Sequence, residues 1–368
     1  MKPANALKER KQINGNTMLL LITIVLFVVL YAAGCVAYAD KGFTTLQTFL
    51  NVFRSNAGLI CVAAGMTCVM LTGGIDISVG SLIAMDCMII AYGLNNWGWA
   101  SAPTIILLVL AIGIVFGLFQ GFCVGYLEIQ PFIVTMAGLF FARGMTSVIS
   151  TDQLSITAEA DQLFYDMANF RIYLPFGGTI NRAGKLIMPY VGIGVVVALA
   201  VLVVIFLMLR YTKFGRALYA VGGSEQSAAM MGLNVKATKM KAYVLSSFLC
   251  SIGGICYCMN TMSASVNQAT GLEMDAIASS VIGGTLLTGG VGNVIGTLFG
   301  VLINGTIASI VQFNGRLASS WPNVLTAALL CFFIVLQSIF AKIKERSKGA
   351  DFHGTERNHR LWPGGSGY

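Results

Sequence analysis

The sequence predicts an all-α, polytopic membrane protein of about ten transmembrane helices, two of which are interrupted by glycine-rich breaks. Of the 368 residues, 56% are hydrophobic and 10% are charged, whereas soluble domains carry roughly 25% charged residues. One span needs about 20 mostly apolar residues, so the hydrophobic share fits roughly ten spans and no large soluble domain. A soluble fold and a disordered chain are both excluded.

Apolar runs of about 19 residues locate the spans. Basic residues precede the first run, and Ala37-Tyr38-Ala39 resembles a signal-peptide cleavage site. We favour a retained helix, because the run from Met18 to Ala39 exceeds the roughly 7–15 residues of a signal core. The expected spans are 17–39, 53–72, 80–97, 103–125, 131–150, 188–210, 242–262, 273–290, 292–313 and 321–341.

The distribution of basic residues predicts the orientation. Of 23 Lys and Arg, four lie in the first sixteen residues, six between Arg210 and Lys241, and six from Lys342 onward. Basic segments stay in the cytoplasm, and an even number of spans returns both termini to one side. The distribution of the basic residues behind the net charge of +8 therefore indicates how the chain is oriented in the membrane. We expect a cytoplasmic N-terminal segment at 1–16, a transmembrane domain at 17–341 with an external loop at 151–187 and a cytoplasmic loop at 211–241, and a cytoplasmic tail at 342–368.

Two sets of glycines recur at every fourth position, which places each set on one helix face and lets a neighbouring backbone approach closely. Close helix packing alone explains this glycine pattern, so the pattern does not indicate a functional site. The run from Gly290 to Gly296 is not a dinucleotide-binding fingerprint, because its spacing is one residue too long and no βαβ unit surrounds it. The two sets are Gly113, Gly117, Gly121 and Gly125, and Gly292, Gly296 and Gly300.

The first break lies between two apolar runs. Paired glycines leave helical geometry at little steric cost, and the freed amides then need acceptors. A charge near the bilayer centre costs about 2.5–3.5 kcal/mol, so Asp76 must face protein or a water-filled path. Three roles for Asp76 stay open: a helix cap, a substrate contact and proton coupling. The candidate residues of this break are Thr72, Gly73, Gly74, Asp76 and Ser78.

The second break runs from 282 to 293 and follows Glu273 and Asp275. Two glycine-interrupted segments in the two halves of a chain are typical of a site lined by discontinuous helices. The similarity of the two segments is too short to establish an internal repeat. The candidate residues are Gly283, Gly284 and Asn293.

The basic loop contains a third pattern, from Phe214 to Asn234. Ser224 can cap a helix, Glu225 suits a helix N-terminus and Gly232 can end it. A two-turn helix on the cytoplasmic face is expected. The residues alone leave open whether it is an ordinary loop helix or one that binds a partner.

Residues for catalysis, metal binding or cofactor binding are not evident. The nine cysteines lie in apolar runs without a C-x-x-C pair, and both histidines, His353 and His359, fall in the tail. The sequence contains no G-x-x-x-x-G-K-[ST] phosphate-binding motif. We therefore expect no cofactor and no metal, and any ATP hydrolysis must occur on another polypeptide.

In the two breaks, the first glycine set and the basic loop, the sequence resembles the ribose/galactose/xylose-type permease subunits of bacterial ABC importers. The resemblance extends over about residues 45 to 340. Around 320–323 and in the tail from Lys344 the chain departs from the family pattern. The matching stretches are GMTCVMLTGGIDISVGS (65–81), GLFQGFCVGYLEIQPFIVT with the later ARG (117–144), FGRALYAVGGSEQSAAMMGLNV (214–235) and GLEMDAIASSVIGGTLLTGGVGNVIGTLFGVLINGT (271–306).

The resemblance implies a permease domain in the bacterial inner membrane that carries a pentose or a hexose. Membrane lipid is expected to surround this domain, and no nucleic-acid partner is expected. Its implied partners are a second permease subunit, like or unlike, an extracytoplasmic sugar-binding protein and an ABC ATPase. Both breaks would lie beside the pathway. The loop helix would be the coupling helix that seats in the ATPase, with residues Gly222, Gly223, Ser224, Glu225, Ala228, Ala229 and Gly232.

Two other classes of function are considered. An ion- or proton-coupled secondary sugar carrier could use Asp76, but it would not need the cytoplasmic Gly-Gly-Ser-Glu helix. A membrane enzyme would need a cluster of His, Cys or carboxylate residues, which the sequence does not contain. The importer permease is the favoured hypothesis, and the sequence does not identify the sugar.

Overall fold

The computed structural model describes residues 15–180, 186–318 and 320–339. The expected cytoplasmic tail at 342–368 and nearly all of the segment at 1–16 lie outside these residues. A single 3-10 turn, Ala39–Lys41, follows the first helix. The helices are α1 (Gly15–Ala37), α2 (Leu46–Ser55), α3 (Ala57–Leu71), α4 (Val79–Asn96), α5 (Ala102–Gly125), α6 (Pro131–Ile149), α7 (Gln162–Asn169), α8 (Ile193–Tyr211), α9 (Lys213–Gly223), α10 (Glu225–Met230), α11 (Val235–Thr261), α12 (Leu272–Ile282), α13 (Val294–Asn314) and α14 (Trp321–Ile339).

The all-α, multi-span prediction is confirmed, with differences in two spans. Within the described residues, eight helices are long and apolar enough to cross a bilayer: α1, α4, α5, α6, α8, α11, α13 and α14. The expected span at 53–72 is a bent pair, because α2 and α3 meet at 53°. The expected span at 273–290 is shorter than predicted. Its helix, α12, ends at Ile282 because Gly283 and Gly284 follow, and Gly284 has a φ of +92°.

Helix α3 lies at the centre of the bundle. Every one of its residues is buried, and it packs against α11, α8, α12 and α13. The outer helices carry apolar side chains on their exposed faces, as helices that contact lipid do. Examples are Val25, Phe119, Phe140, Val204 and Phe332.

The glycine face of α5 packs directly on the backbone of α11, as its spacing predicts. A Cβ atom at Gly117 would lie 2.7 Å from Val244 Cα, and one at Gly121 would lie 2.6 Å from the Met240 carbonyl oxygen. Carbon atoms do not approach so closely without displacement of the neighbouring backbone. The absence of side chains at these positions therefore sets the distance between the two helices.

The second glycine set is predicted correctly for two of its three members. Gly296 and Gly300 face the backbone of α12 at Gly283 and Ser279. Gly292 is not on this helix face, because α13 begins only at Val294. It lies within the break instead.

The two ends of the bundle differ in structure. At one end, short antiparallel strands pair Leu154–Ser155 with Ser263–Ala264, Arg171–Tyr173 with Tyr190–Gly192, and Thr179–Ile180 with Leu186–Ile187. At the other end lie α9 and α10. Helix α8 has 19 residues and separates the ends by about 28 Å.

We predict that Gly121→Val destabilises the protein by about 1–3 kcal/mol, because the new side chain would overlap the backbone of α11. Gly144→Val is the matched control, since Gly144 is also helical and no atom lies within 4 Å of its added Cβ. The measurement is the free energy of unfolding of the detergent-purified variants. Equal losses for both variants would contradict the packing account.

Candidate functional site

The first break, 72–78, joins the buried helices α3 and α4. Thr72 ends α3 by donating its hydroxyl hydrogen to the Val69 carbonyl oxygen at 2.7 Å. Gly73 follows with a φ of +77°, a conformation that glycine adopts without steric cost. At Gly74, an added Cβ would lie 2.5 Å from the Tyr243 hydroxyl oxygen. Both glycines of the pair are therefore required by the local geometry.

Asp76 is buried within this break and accepts three hydrogen bonds. Its Oδ1 accepts from the Ser78 backbone N–H at 3.1 Å and from the Ser78 hydroxyl at 2.6 Å, and its Oδ2 accepts from the Ser246 hydroxyl at 3.2 Å. Gln120 donates from Nε2 to Ser78 Oγ at 3.0 Å. The carboxylate thus satisfies an amide at the start of α4 and connects α4 to α11. This geometry supports a structural role, in which Asp76 closes the turn before α4; the N-cap residue of α4 is Ser78, whose side chain makes no capping hydrogen bond.

The second break, 283–293, forms a tight turn between α12 and α13. Gly289 and Gly290 both have positive φ angles, of +85° and +74°. The Leu286 N–H donates to the Val291 carbonyl oxygen at 2.9 Å, which closes the turn. Asn293 accepts from the Ile295 N–H at 3.0 Å and so caps α13. This cap explains why a polar residue stands at the start of an apolar helix.

The two breaks meet each other. The Gly290 N–H donates to the Leu71 carbonyl oxygen at 2.9 Å, and a Cβ at Gly289 would lie 2.7 Å from the Gly73 backbone nitrogen. The breaks are more than 200 residues apart in the chain. The structure therefore brings together the two segments that the sequence singled out separately.

The end of α9 packs on the same point. A Cβ at Gly222 would overlap the Leu71 carbonyl oxygen, and one at Gly290 would lie 2.8 Å from the Gly223 backbone nitrogen. Gly222, Gly289 and Gly290 permit this approach of three backbone segments because they have no side chains, whereas Gly223 takes part through its backbone and a Cβ there would have no atom within 4 Å. We call this cluster the glycine junction; it consists of Gly73, Gly222, Gly223, Gly289 and Gly290.

Helix α10 follows the junction directly and has the expected ends. Ser224 accepts at Oγ from the Ser227 N–H at 3.2 Å. Ala228 is buried, whereas Ala229 is exposed. Gly232 has a φ of +82°, and its N–H donates to the Ala229 carbonyl oxygen at 2.9 Å. The short helix that the sequence predicts between Ser224 and Gly232 is therefore present.

Two features of α10 were missed by sequence reasoning. Glu225 forms an ion pair with Lys239 of α11 in the same chain. Met230 and Met231, at the tip of the helix, are 88% and 68% exposed. A pair of methionines next to a helix-ending glycine was the available signal, since exposed methionines are common on adaptable binding surfaces.

A second ion pair stands beside α10. Lys236 of α11 lies 2.8 Å from the Glu128 carboxylate, and its hydrogen bond and then its positive charge lower the pKa of that carboxyl. Glu128 lies in the short turn between α5 and α6. At the α10 end of the bundle, two surface ion pairs therefore connect α11 to α10 and to the turn that follows α5.

The described residues contain no group of three or more His, Cys, Asp or Glu that could hold a metal ion. A cavity of about 260 Å³ lies at the α10 end, lined by Phe206, Arg210, Tyr219, Asn293 and other residues. Tyr219 donates its hydroxyl hydrogen to the Gly292 carbonyl oxygen at 3.0 Å. The candidate site therefore consists of backbone segments packed against one another and, beside them, the short helix α10 with its exposed tip.

Comparison with known proteins identifies the family. Residues 48–336 match the family model described as branched-chain amino acid transport system / permease component. No solved structure matches the chain.

Three curated relatives cover most of the chain. The inner membrane ABC transporter permease protein YjfF of Escherichia coli is 38% identical over 86% of this chain and 91% of its own length. The fructose import permease protein FruG of Bifidobacterium longum is 34% identical over 86% and 89%. The ribose import permease protein RbsC of Escherichia coli is 32% identical over 84% and 91%. Together with the family match and the membrane-spanning helices, these relatives show that the chain belongs to the branched-chain amino acid transport system / permease component family and is a multi-pass inner-membrane ABC transporter permease.

Proposed function

We propose that this chain forms the translocation pathway of an ABC importer for a monosaccharide, a pentose or a hexose. The observation that carries the proposal is the glycine junction, where both helix breaks of the membrane domain contact the segment that leads into α10. The curated relatives named as import permeases for ribose and fructose support a sugar as the substrate. ATP is hydrolysed on a partner subunit, and an extracytoplasmic binding protein delivers the sugar.

The proposed orientation places 1–16, 211–241 and 342–368 in the cytoplasm and 151–187 outside. This orientation is supported by the basic residues in all three of the segments placed in the cytoplasm. It is also supported by the separation of the strand-rich end of the bundle from the α10 end. A second permease subunit, like or unlike, completes the pathway.

Helix α10 is the proposed contact with the ATPase. Its exposed Met230 and Met231 supply an apolar tip, and Glu225 is held by Lys239 so that the helix keeps its position. Movement of α10 reaches α3 through Gly222, which contacts the Leu71 carbonyl oxygen. Thr72, Asp76 and Ser78 are buried within the subunit, so their proposed role is to shape the pathway wall.

Topology gives the first test of this proposal. In a background with the native cysteines replaced, Ser155→Cys should react with a membrane-impermeant thiol reagent in intact cells, and Ser224→Cys should react only after the membrane is opened. Both serines are exposed. Labelling of Ser224→Cys in intact cells would refute the orientation.

The apolar tip gives the second test. We predict that Met230→Asp and Met231→Asp each weaken binding to the ATPase, measured by co-purification, by about tenfold, since loss of an interface contact worth about 1.4 kcal/mol lowers affinity by that factor. Gln226→Asp adds the same charge to an exposed position of the same helix and should have little effect. Wild-type assembly of both methionine variants would remove α10 from the interface.

The role of Asp76 gives the third test. Asp76→Asn should retain ATP-dependent uptake at least in part, with an unchanged pH profile, because an amide oxygen can still accept from the Ser78 N–H. Asp76→Leu should destabilise the protein by about 1–3 kcal/mol, because it leaves buried donors without an acceptor. If a proton gradient alone drove uptake in wild-type vesicles and Asp76→Asn abolished it, a secondary carrier would be the correct function.

A further inference from the structure

The cavity beside the second break lies at the boundary of the membrane domain. Helices α1, α8, α9 and α13 contribute to its walls. Leu20 stands two residues after Met18, where the apolar run of α1 begins, and Arg210 is the last residue but one of α8. Both helices are long enough to cross a bilayer, so positions this close to their ends lie where the hydrocarbon core meets the headgroups. The cavity is therefore at the depth of lipid headgroups.

Arg210 brings a positive charge to this cavity. Its guanidinium carbon lies 5.9 Å from the centre of the Phe206 ring, which also lines the cavity, and such a contact is attractive. In the described part of the chain, the ion-paired carboxylates are those of Glu128 and Glu225, and both pair with lysines of α11. The described residues that line the cavity include no Asp or Glu. The guanidinium is therefore held by an aromatic ring and keeps N–H donors for an anion.

Asn293 and Tyr219 add polar groups to the same cavity. Asn293 accepts at Oδ1 from the Ile295 N–H at 3.0 Å, which orients the amide, and its Nδ2 donates to none of the described residues. The Tyr219 hydroxyl donates to the Gly292 carbonyl oxygen at 3.0 Å and so holds the α9 wall against the second break. The cavity thus combines a cation with a free amide donor. An ionised phosphate group, which accepts hydrogen bonds from both, fits this combination.

Apolar surface adjoins the cavity. Leu209 and Val294 contribute apolar side chains to the lining. Leu21 on α1 and Leu207 on α8, close in the chain to lining residues, are 49% and 46% exposed, as side chains that contact lipid are. The volume of about 260 Å³ is below the roughly 300–1,000 Å³ of pockets for drug-sized ligands. The cavity therefore has room for a headgroup, while acyl chains would lie outside it on α1 and α8.

We propose that the cavity binds the phosphate group of an anionic phospholipid from the leaflet at the α10 end, with the acyl chains against α1 and α8. Arg210 and Asn293 donate hydrogen bonds to the phosphate oxygens, and Tyr219 positions the α9 wall. Basic pockets between transmembrane helices on the cytoplasmic side are typical sites for anionic headgroups, and the proposed orientation places α10 on that side. A free phosphate ion offers the same oxygens without the chains. The site does not depend on which substrate the permease carries.

Photocrosslinking in vesicles tests where the lipid binds. The full-length permease is reconstituted in phosphatidylcholine vesicles that contain a low fraction of phosphatidylglycerol with a photoactivatable diazirine in one acyl chain, and labelled peptides are identified by mass spectrometry. Label is expected on α1 and α8 near Leu21 and Leu207, and excess unlabelled phosphatidylglycerol should remove it. Inorganic phosphate on both sides of the membrane should leave the label in place. Loss of label in phosphate would indicate a site for the free ion and overturn the lipid assignment.

Charge variants test the donors. Arg210→Ala should lower the labelling of α8 by about tenfold at subsaturating lipid, the loss expected for hydrogen bonds to a charged group. Arg216→Ala is the matched control and should label as wild type, since Arg216 is exposed on α9 and does not line the cavity. Asn293→Asp should also lower labelling, because its carboxylate repels phosphate while it still accepts from the Ile295 N–H as the cap of α13. Equal losses in Arg210→Ala and Arg216→Ala would indicate general attraction of basic residues to anionic lipid and overturn the site.

Filling the cavity tests the site without a change of charge. Leu20→Trp places a larger side chain in the lining, whereas Leu21→Trp enlarges the neighbouring, exposed side chain. Leu20→Trp should lower the labelling of α8 to the level given by a photoactivatable phosphatidylcholine, and Leu21→Trp should leave it at the wild-type level. Only protein that elutes as a single species in size-exclusion chromatography is compared. Wild-type labelling in Leu20→Trp would overturn the cavity as the binding site.

Discussion

The hydrogen bond from the Gly290 N–H to the Leu71 carbonyl oxygen is the interaction on which the rest of the site depends. Within a bilayer, backbone groups freed at a helix end must find partners in the protein. The end of α3 finds one in the second break, more than 200 residues away in the chain. Because Gly222 lies against the same carbonyl oxygen, the end of α9 is fixed by this pairing as well. The end of α3, the second break and the end of α9 thus share a single point of contact.

This arrangement gives α10 a direct mechanical connection to the centre of the bundle. Helix α3 is buried along its whole length, and it packs on both α11 and α12. Close-packed interiors transmit displacement because they cannot absorb it. A displacement of α10 would therefore reach α3 and, through it, α11 and α12.

The sequence predicted local features better than contacts between distant segments. Apolar runs predicted ten spans, eight of which are helices long enough to cross a bilayer, the glycine spacing predicted a closely packed face on α5, and Ser224 and Gly232 predicted the ends of α10. These features depend on neighbouring residues, which composition and spacing describe. The pairing of Glu225 with Lys239, and the approach of Gly222 to Leu71, depend on tertiary packing. The break predicted at 282–293 begins where α12 ends, at Ile282, but the span predicted at 273–290 extends past it, because apolar residues continue beyond Gly283 and Gly284.

The most direct test of the account compares two adjacent glycines of α9 in the reconstituted importer. Alanine at Gly222 would overlap the Leu71 carbonyl oxygen, whereas no atom lies within 4 Å of a Cβ added at Gly223. The measurement is sugar uptake per ATP hydrolysed for Gly222→Ala and Gly223→Ala, with both proteins inserted at equal abundance. The account predicts that Gly222→Ala uncouples uptake from ATP hydrolysis and that Gly223→Ala remains coupled. Full coupling in Gly222→Ala would contradict the role of the glycine junction.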